Sequence, residues 1–158
     1  MGQSVGHGDV LETIMGVAPD SELARLRAQR PDIVRHTQGS YDVLLFPSEP
    51  GGLTPAMRAL VAARVAELSG HPVLAAHYRG LLAERGEPPA GALRDTILAH
   101  AERVTVAPAS ATSAHIEALL AAGLSATDIV ALSQLVAFVS YQVRAAIGLA
   151  LLAQEKAA

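Results

Sequence analysis

The sequence contains no cysteine, and this absence excludes every reaction that needs a thiol, as well as any disulfide. Tryptophan is also absent, and aromatic residues make up only 3% of a chain that is 51% hydrophobic. The core must therefore consist mainly of Ala, Leu and Val. Ala and Leu are strong helix formers, whereas the best strand formers are scarce. The composition predicts an all-α fold.

Positive charge is also scarce, with 12 Lys and Arg against 15 Asp and Glu and a formal net charge of −3. A chain with this balance and few aromatic side chains is poorly suited to bind nucleic acid. Residues 1–8 are polar and Gly-rich, which predicts a flexible N-terminus without a signal peptide. We therefore expect a cytoplasmic protein.

One apolar stretch, residues 129–153, is long enough to suggest a membrane span. It contains Ser133, Gln134, Ser140, Gln142 and Arg144. A charge in the middle of a span is costly in lipid. The stretch therefore predicts a helix buried in protein, and no membrane partner.

The length and the helix punctuation predict a single helical domain over residues 9–158 with seven or eight helices. Capping residues precede several apolar segments, and prolines stand at helix starts. The residues that predict these starts are Asp9, Ser21, Pro31, Thr54, Pro55, Pro72 and the capping box Ser125–Asp128.

Local motifs give few leads to chemistry. There is no glycine-rich phosphate loop, no HExxH and no nucleophile elbow. None of the six histidines forms a metal-ligand pair at i,i+4 on one helix. We expect neither a metal nor a cofactor.

The helix start at residues 70–72 is the first candidate site. His71 precedes Pro72, and His77 and Tyr78 follow in the second turn. The positive end of a helix dipole lowers the pKa of a histidine, so that a neutral imidazole there could act as a base. The alternative is that His71 only caps the helix and His77 packs against a neighbour.

Arg64 is the second candidate, because it falls within an apolar stripe of the helix that follows Thr54. A buried guanidinium needs a carboxylate or a bound anion, and Glu67 at i+3 is the local choice. Arg64 could instead bind an anionic ligand, extend to solvent or pair across a subunit contact. The stripe comprises Met57, Leu60, Val61, Val65 and Leu68.

Two polar clusters interrupt apolar segments. Residues 140–144, which include Arg144, could face another subunit, a loop or a cavity. Residues 36–41 could form a further polar wall beside the candidate site.

Residues 53–60, Leu-Thr-Pro-Ala-Met-Arg-Ala-Leu, are followed by an Ala/Val-rich helix, a Gly-containing break and Leu-Ala-Ala-His at 74–77. This pattern resembles the carboxymuconolactone decarboxylase/alkylhydroperoxidase D-like (AhpD-like) superfamily. Residues 119–130 also resemble the Gly-Leu-Ser-x-x-Glu-Ile helix junction of that family. The resemblance implies a bundle of helices in a helix-swapped or closely packed homo-oligomer, a dimer, trimer or hexamer.

The peroxidase branch of the family has Leu-Ser-x-x-Glu-Arg-Glu-Leu, then Asn-Gly-Cys-x-x-Cys, with His four residues after the second Cys. Only His77 matches the residues of the peroxidase mechanism. The two cysteine positions and the glutamate position fall on Gly70, Val73 and Arg58, or in a register shifted by one on His71, Leu74 and Ala59. Thiol peroxidase activity is therefore excluded.

The decarboxylase branch lacks the cysteine pair, and it implies acid–base chemistry on a small carboxylated metabolite. An acid–base lyase or isomerase would use His77, His71 or Tyr78, with Arg64, Arg58 or Arg144 as anion-binding groups. The alternative is a non-catalytic domain that binds a ligand or assembles with a redox-active homologue.

Overall fold

A computed structural model describes residues 9–155, and in this range the chain forms eight α-helices, one short 3₁₀ turn and no strand. The all-α prediction with seven or eight helices is confirmed. The predicted flexible N-terminus, residues 1–8, lies outside the described residues. The helices are α1 Val10–Met15, α2 Glu22–Ala28, α3 Pro31–Leu45, α4 Pro55–Leu68, α5 Pro72–Arg85, α6 Ala92–Val106, α7 Ser113–Ala121 and α8 Ala126–Glu155, with the 3₁₀ turn Pro108–Ser110 before α7.

The helices begin where the capping residues predict. Side-chain oxygen atoms of Asp9, Ser21 and Thr54 each accept a hydrogen bond from the backbone amide three residues further on, at 3.1–3.2 Å. Pro31 and Pro55 occupy the first helical positions of α3 and α4. Proline has no amide hydrogen to leave unsatisfied there, and its fixed φ suits the first turn. Local sequence therefore sets the helix boundaries.

Helix α4 lies at the centre of the bundle, in contact with α5, α6 and α8. It buries residues on several faces, among them four alanines. Small side chains let neighbouring helices approach closely, which offsets the scarcity of large aromatic residues. The buried alanines are Ala59, Ala62, Ala63 and Ala66.

Helix α8 is the longest element, with 30 residues and a length of about 45 Å. By length and composition alone, Ala126–Gln154 could cross a membrane. In the bundle, however, α8 packs against α3, α4 and α6, and it carries the fully buried Gln142 and the charged Arg144. These contacts favour a core helix with one outer face.

The connection between α3 and α4 is held by Arg58, whose side chain is almost completely buried. Its guanidinium donates to the carbonyl oxygens of Leu53, Leu44 and Pro50 at 2.8, 2.9 and 3.1 Å. Each of these carbonyls would otherwise lack a partner at a helix end or in a loop. Arg58 therefore fixes the path of the chain into α4.

Asp128, in the first turn of α8, holds the same loop from the other side. Its carboxylate accepts from the amide of Gly52 at 2.9 Å and from the amide and hydroxyl of Ser125. A Cβ at Gly51 or Gly52 would collide with this carboxylate, and Gly51 also has a φ of 61°. Glycine is required here for close approach and for backbone conformation. We call Arg58 and Asp128, with the loop they hold, the loop clamp.

Candidate functional site

His77 of α5 forms a hydrogen bond with Tyr41 of α3, and this contact is the centre of the candidate site. The distance from His77 Nε2 to the Tyr41 hydroxyl oxygen is 2.8 Å. Tyr41 is buried and His77 is half-buried. Tyr41 belongs to the polar cluster at residues 36–41, and the fold brings this one member of the cluster to His77.

Burial determines the protonation of both groups. Loss of solvent lowers the pKa of His77, an effect that the charge of Glu84 partly opposes. The same cause raises the pKa of Tyr41 to about 12. Near pH 7 the pair therefore consists of a neutral imidazole and a neutral phenol. A neutral imidazole is the form that a general base requires.

Aromatic rings surround the pair. The His77 ring meets Tyr78 edge-on with centroids 5.1 Å apart, and Tyr41 lies 5.6 Å from Phe46. The guanidinium carbon of Arg85 stands 4.4 Å above the centre of the Phe46 ring. Arg85 is therefore the cation that the fold brings to this group, and no sequence pattern points to it.

His71 and Tyr78, the other two expected acid–base residues, are engaged in contacts that hold the fold. His71 is the N-cap of α5, and its Nδ1 accepts from the amide of Leu74 at 3.2 Å. Tyr78 is fully buried and donates to Gln142 Oε1 in the core. Neither side chain forms a hydrogen bond with the Tyr41 hydroxyl, although Tyr78 contacts the His77 ring.

The expected anion-binding arginines also have protein partners or stand apart. The Arg64 side chain is 39% exposed, which agrees with the alternative that it extends towards solvent. It pairs with Glu102 of α6 at 2.7 Å, and Glu67, the partner predicted from spacing, is more distant at 3.8 Å. Arg58 is committed to the loop clamp, and Arg144 lies exposed on α8.

The polar cluster at residues 140–144 divides between two sides of α8. Gln142 faces the core with Tyr78, and its Nε2 has no partner within the described residues. Tyr141 is exposed, and its hydroxyl lies 3.1 Å from the hydroxyl of Thr37 on α3. The cluster therefore does not form one wall.

Five cavities on residues 9–155 lie away from the candidate site. The largest of five, about 680 Å³, lies between α2 and α3, and a second, about 330 Å³, is lined by Arg64. None of the five is lined by His77, His71 or Tyr78. A third cavity, between α6 and α7, is lined by His100 and His115, two histidines that no sequence pattern connects.

No family model and no curated protein matches this chain. Two solved structures are similar. An uncharacterized peroxidase-related protein from Silicibacter sp. TM1040 shares 17% identity, with 93% of this chain and 88% of that chain covered and a TM-score of 0.62. An alkylhydroperoxidase AhpD core, an uncharacterized peroxidase-related protein from Ralstonia eutropha JMP134, shares 22% identity, with 80% and 73% covered and a TM-score of 0.56.

At these identities the likeness shows the fold alone. The chain has the AhpD-like fold, as the sequence resemblance predicted. Fold does not imply function, and function must be argued from the residues at the site.

Proposed function

We propose that this chain is a non-catalytic AhpD-like domain that functions through self-association, in the cytoplasm. One observation carries the proposal: of the expected site residues, Arg58, His71 and Tyr78 hold the fold together, and His77 lines none of the five cavities described above. An active site needs groups that are free to meet a substrate in an enclosed space. This arrangement favours a structural use of the fold.

The surface that would associate is the outer face of α8, which we define as Val130, Tyr141, Ile147, Leu151 and Leu152. These side chains are between 42% and 59% exposed. Arg144 is the only charged residue between Asp128 and Glu155. Ser133, Gln134 and Arg144 are also exposed on this helix, so the apolar surface is concentrated towards its C-terminal end. An exposed apolar patch of this kind is typical of an interface.

A second copy of the chain is the occupant that we favour. Self-pairing through one face of a long helix satisfies two-fold symmetry, the commonest symmetry of homo-oligomers. The family resemblance also implies dimers, trimers or hexamers of helical subunits. A redox-active homologue with a similar face would be the alternative partner.

Sedimentation velocity of the full chain tests the proposal. We expect an oligomer, and we expect the double variant Ile147→Lys, Leu151→Lys to sediment as a folded monomer with unchanged helical circular dichroism. The matched control is Val106→Lys, which alters an apolar residue, 66% exposed, on α6. A monomeric wild type, or a double variant that associates like the control, would contradict the proposal.

The Tyr41–His77 hydrogen bond favours one second candidate, an acid–base isomerase or lyase for a small carboxylated metabolite. The neutral imidazole would take a proton from carbon and return it, with Arg85 as the nearby cation for the carboxylate. The probe is a carboxylated lactone in D₂O, followed by proton NMR. Deuterium uptake that His77→Gln abolishes and His36→Gln leaves intact would support this candidate over the non-catalytic one.

A further inference from the structure

The cavity between α6 and α7 has a volume of about 340 Å³ and gathers titratable side chains from both helices. From α6 come Asp95, His100 and Arg103, and from α7 comes His115. The volume falls within the range of small-ligand sites, at its lower end. This cavity is separate from Tyr41 and His77, which do not line it.

His100 is 93% buried, since only 7% of its surface is exposed, and its Nδ1 atom has no hydrogen-bond partner within residues 9–155. A buried polar nitrogen without a partner costs free energy, so native proteins rarely keep one unless something else binds there. Burial, together with the nearby His115 and Arg103, lowers the pKa of His100. A neutral imidazole can carry its proton on Nδ1 and donate it.

The tautomer of His115 is set by the start of α7. Its Nδ1 accepts a hydrogen bond from the backbone amide of Thr112 at 3.0 Å. Nδ1 therefore holds a lone pair, and a neutral His115 carries its proton on Nε2. Since His115 lines the cavity, this N–H is a second donor available to a ligand.

Arg103 supplies a full positive charge, and no carboxylate within residues 9–155 forms an ion pair with it. A metal does not suit the cluster, because no three His, Asp or Glu side chains in the described range converge as metal ligands. The exposed Asp95 disfavours a ligand with two negative charges. Asp95 is exposed, so solvent screens its charge, and one guanidinium unpaired within residues 9–155, together with two ring N–H donors, matches a small monoanion.

We propose that this cavity binds a small carboxylate, held by Arg103 and by the ring N–H groups of His100 and His115. The guanidinium presents paired donors that match the two oxygen atoms of a carboxylate. The site lies outside the outer face of α8, and it is independent of the self-association proposed above.

Nitrogen-15 NMR of the imidazole rings, with acetate as the probe and chloride at the same ionic strength as the control, tests the proposal. We expect saturable shifts of the His100 and His115 resonances with acetate alone. Arg103→Gln should weaken acetate binding about tenfold, since it removes a charge-assisted contact. Arg94→Gln, on the same helix but paired with Glu87, should not.

A second variant, Ala118→Leu, fills the cavity without a change of charge, and it should also prevent the saturable shifts. It keeps the test decisive where Arg103→Gln fails to fold. Shifts that chloride reproduces, or that persist in a folded Arg103→Gln or Ala118→Leu protein, would overturn the proposal.

Discussion

The loop clamp and the cavity between α6 and α7 both bury polar side chains, but they differ in what those side chains contact. In the clamp, Arg58 reaches three carbonyl oxygens and Asp128 accepts three hydrogen bonds. In the cavity, His100 Nδ1 has no partner among residues 9–155. A buried polar group with many partners holds the fold. The Nδ1 of His100 has none in the described part of the chain and, unlike the equally unpartnered Nε2 of Gln142, belongs to a residue that lines a cavity, which is why we propose a ligand there.

His77 shares one feature with the loop clamp and one with the cavity. One of its ring nitrogens meets Tyr41, as in a structural contact, and its side chain remains half-exposed, as in a site. The family resemblance singles out His77, while the unsatisfied atom singles out His100. A residue that matches a family pattern need not be the one that is free to bind a ligand.

Loss of Arg58 should give the largest effect and is the strongest test of this comparison. Arg58→Met leaves three carbonyls and the Asp128 carboxylate without their cation, and we expect the free energy of unfolding to fall by about 3 kcal/mol. Urea unfolding monitored by circular dichroism measures it. Arg79→Met, which removes a surface pair with Glu67, should cost less than about 1 kcal/mol. Equal losses would show that the clamp is not structural.

The fold was largely predictable because its signals are local. Asp9, Ser21 and Thr54 cap helices through contacts only three residues long, and the capping box at Ser125 and Asp128 follows the same rule. Buried alanines on several faces of α4 likewise follow from its composition. Local hydrogen bonds and helix periodicity can be read without knowledge of tertiary contacts.

The site was less predictable because its contacts are distant in sequence. Glu102 pairs with Arg64 across 38 residues, and Tyr41 meets His77 across 36. Spacing along one helix could suggest only Glu67 for Arg64. The unsatisfied Nδ1 of His100 is a property of the packed structure, and no sequence pattern reports it.

The cavity should also make the stability of the fold depend on pH, with a smaller effect than the loss of Arg58. Burial lowers the pKa of His100 from its ordinary value of 6.5, while His115, Arg103 and Asp95 are the charged or titratable groups that line the cavity with it. Below pH 6.5 the unfolded chain binds a proton that the folded chain resists, so stability should fall as the pH drops through this range. Above pH 6.5 His100 is neutral in both the folded and the unfolded chain, so its burial no longer lowers the stability.

His100→Gln should reduce this loss, seen as a smaller drop in the urea midpoint between about pH 7 and about pH 5. The exposed His36→Gln should leave the pH dependence as in the wild type. Saturating acetate should also change the pH dependence of the wild-type urea midpoint if the cavity binds a carboxylate. If the urea midpoint of His100→Gln drops as much as that of the wild type, His100 does not cause the acid sensitivity.

The smallest effect should come from Arg64, whose place in an apolar stripe suggests a buried charge but whose side chain is 39% exposed. Solvent screens its pair with Glu102, so Arg64→Gln should lower the free energy of unfolding by less than about 1 kcal/mol. A double-mutant cycle with Glu102→Gln isolates the coupling, which we expect to be about 0.5 kcal/mol. The matched control is Arg35→Gln, which breaks a surface pair with Asp32. A loss as large as that of Arg58→Met would mean that exposure does not separate structural from surface arginines in this bundle.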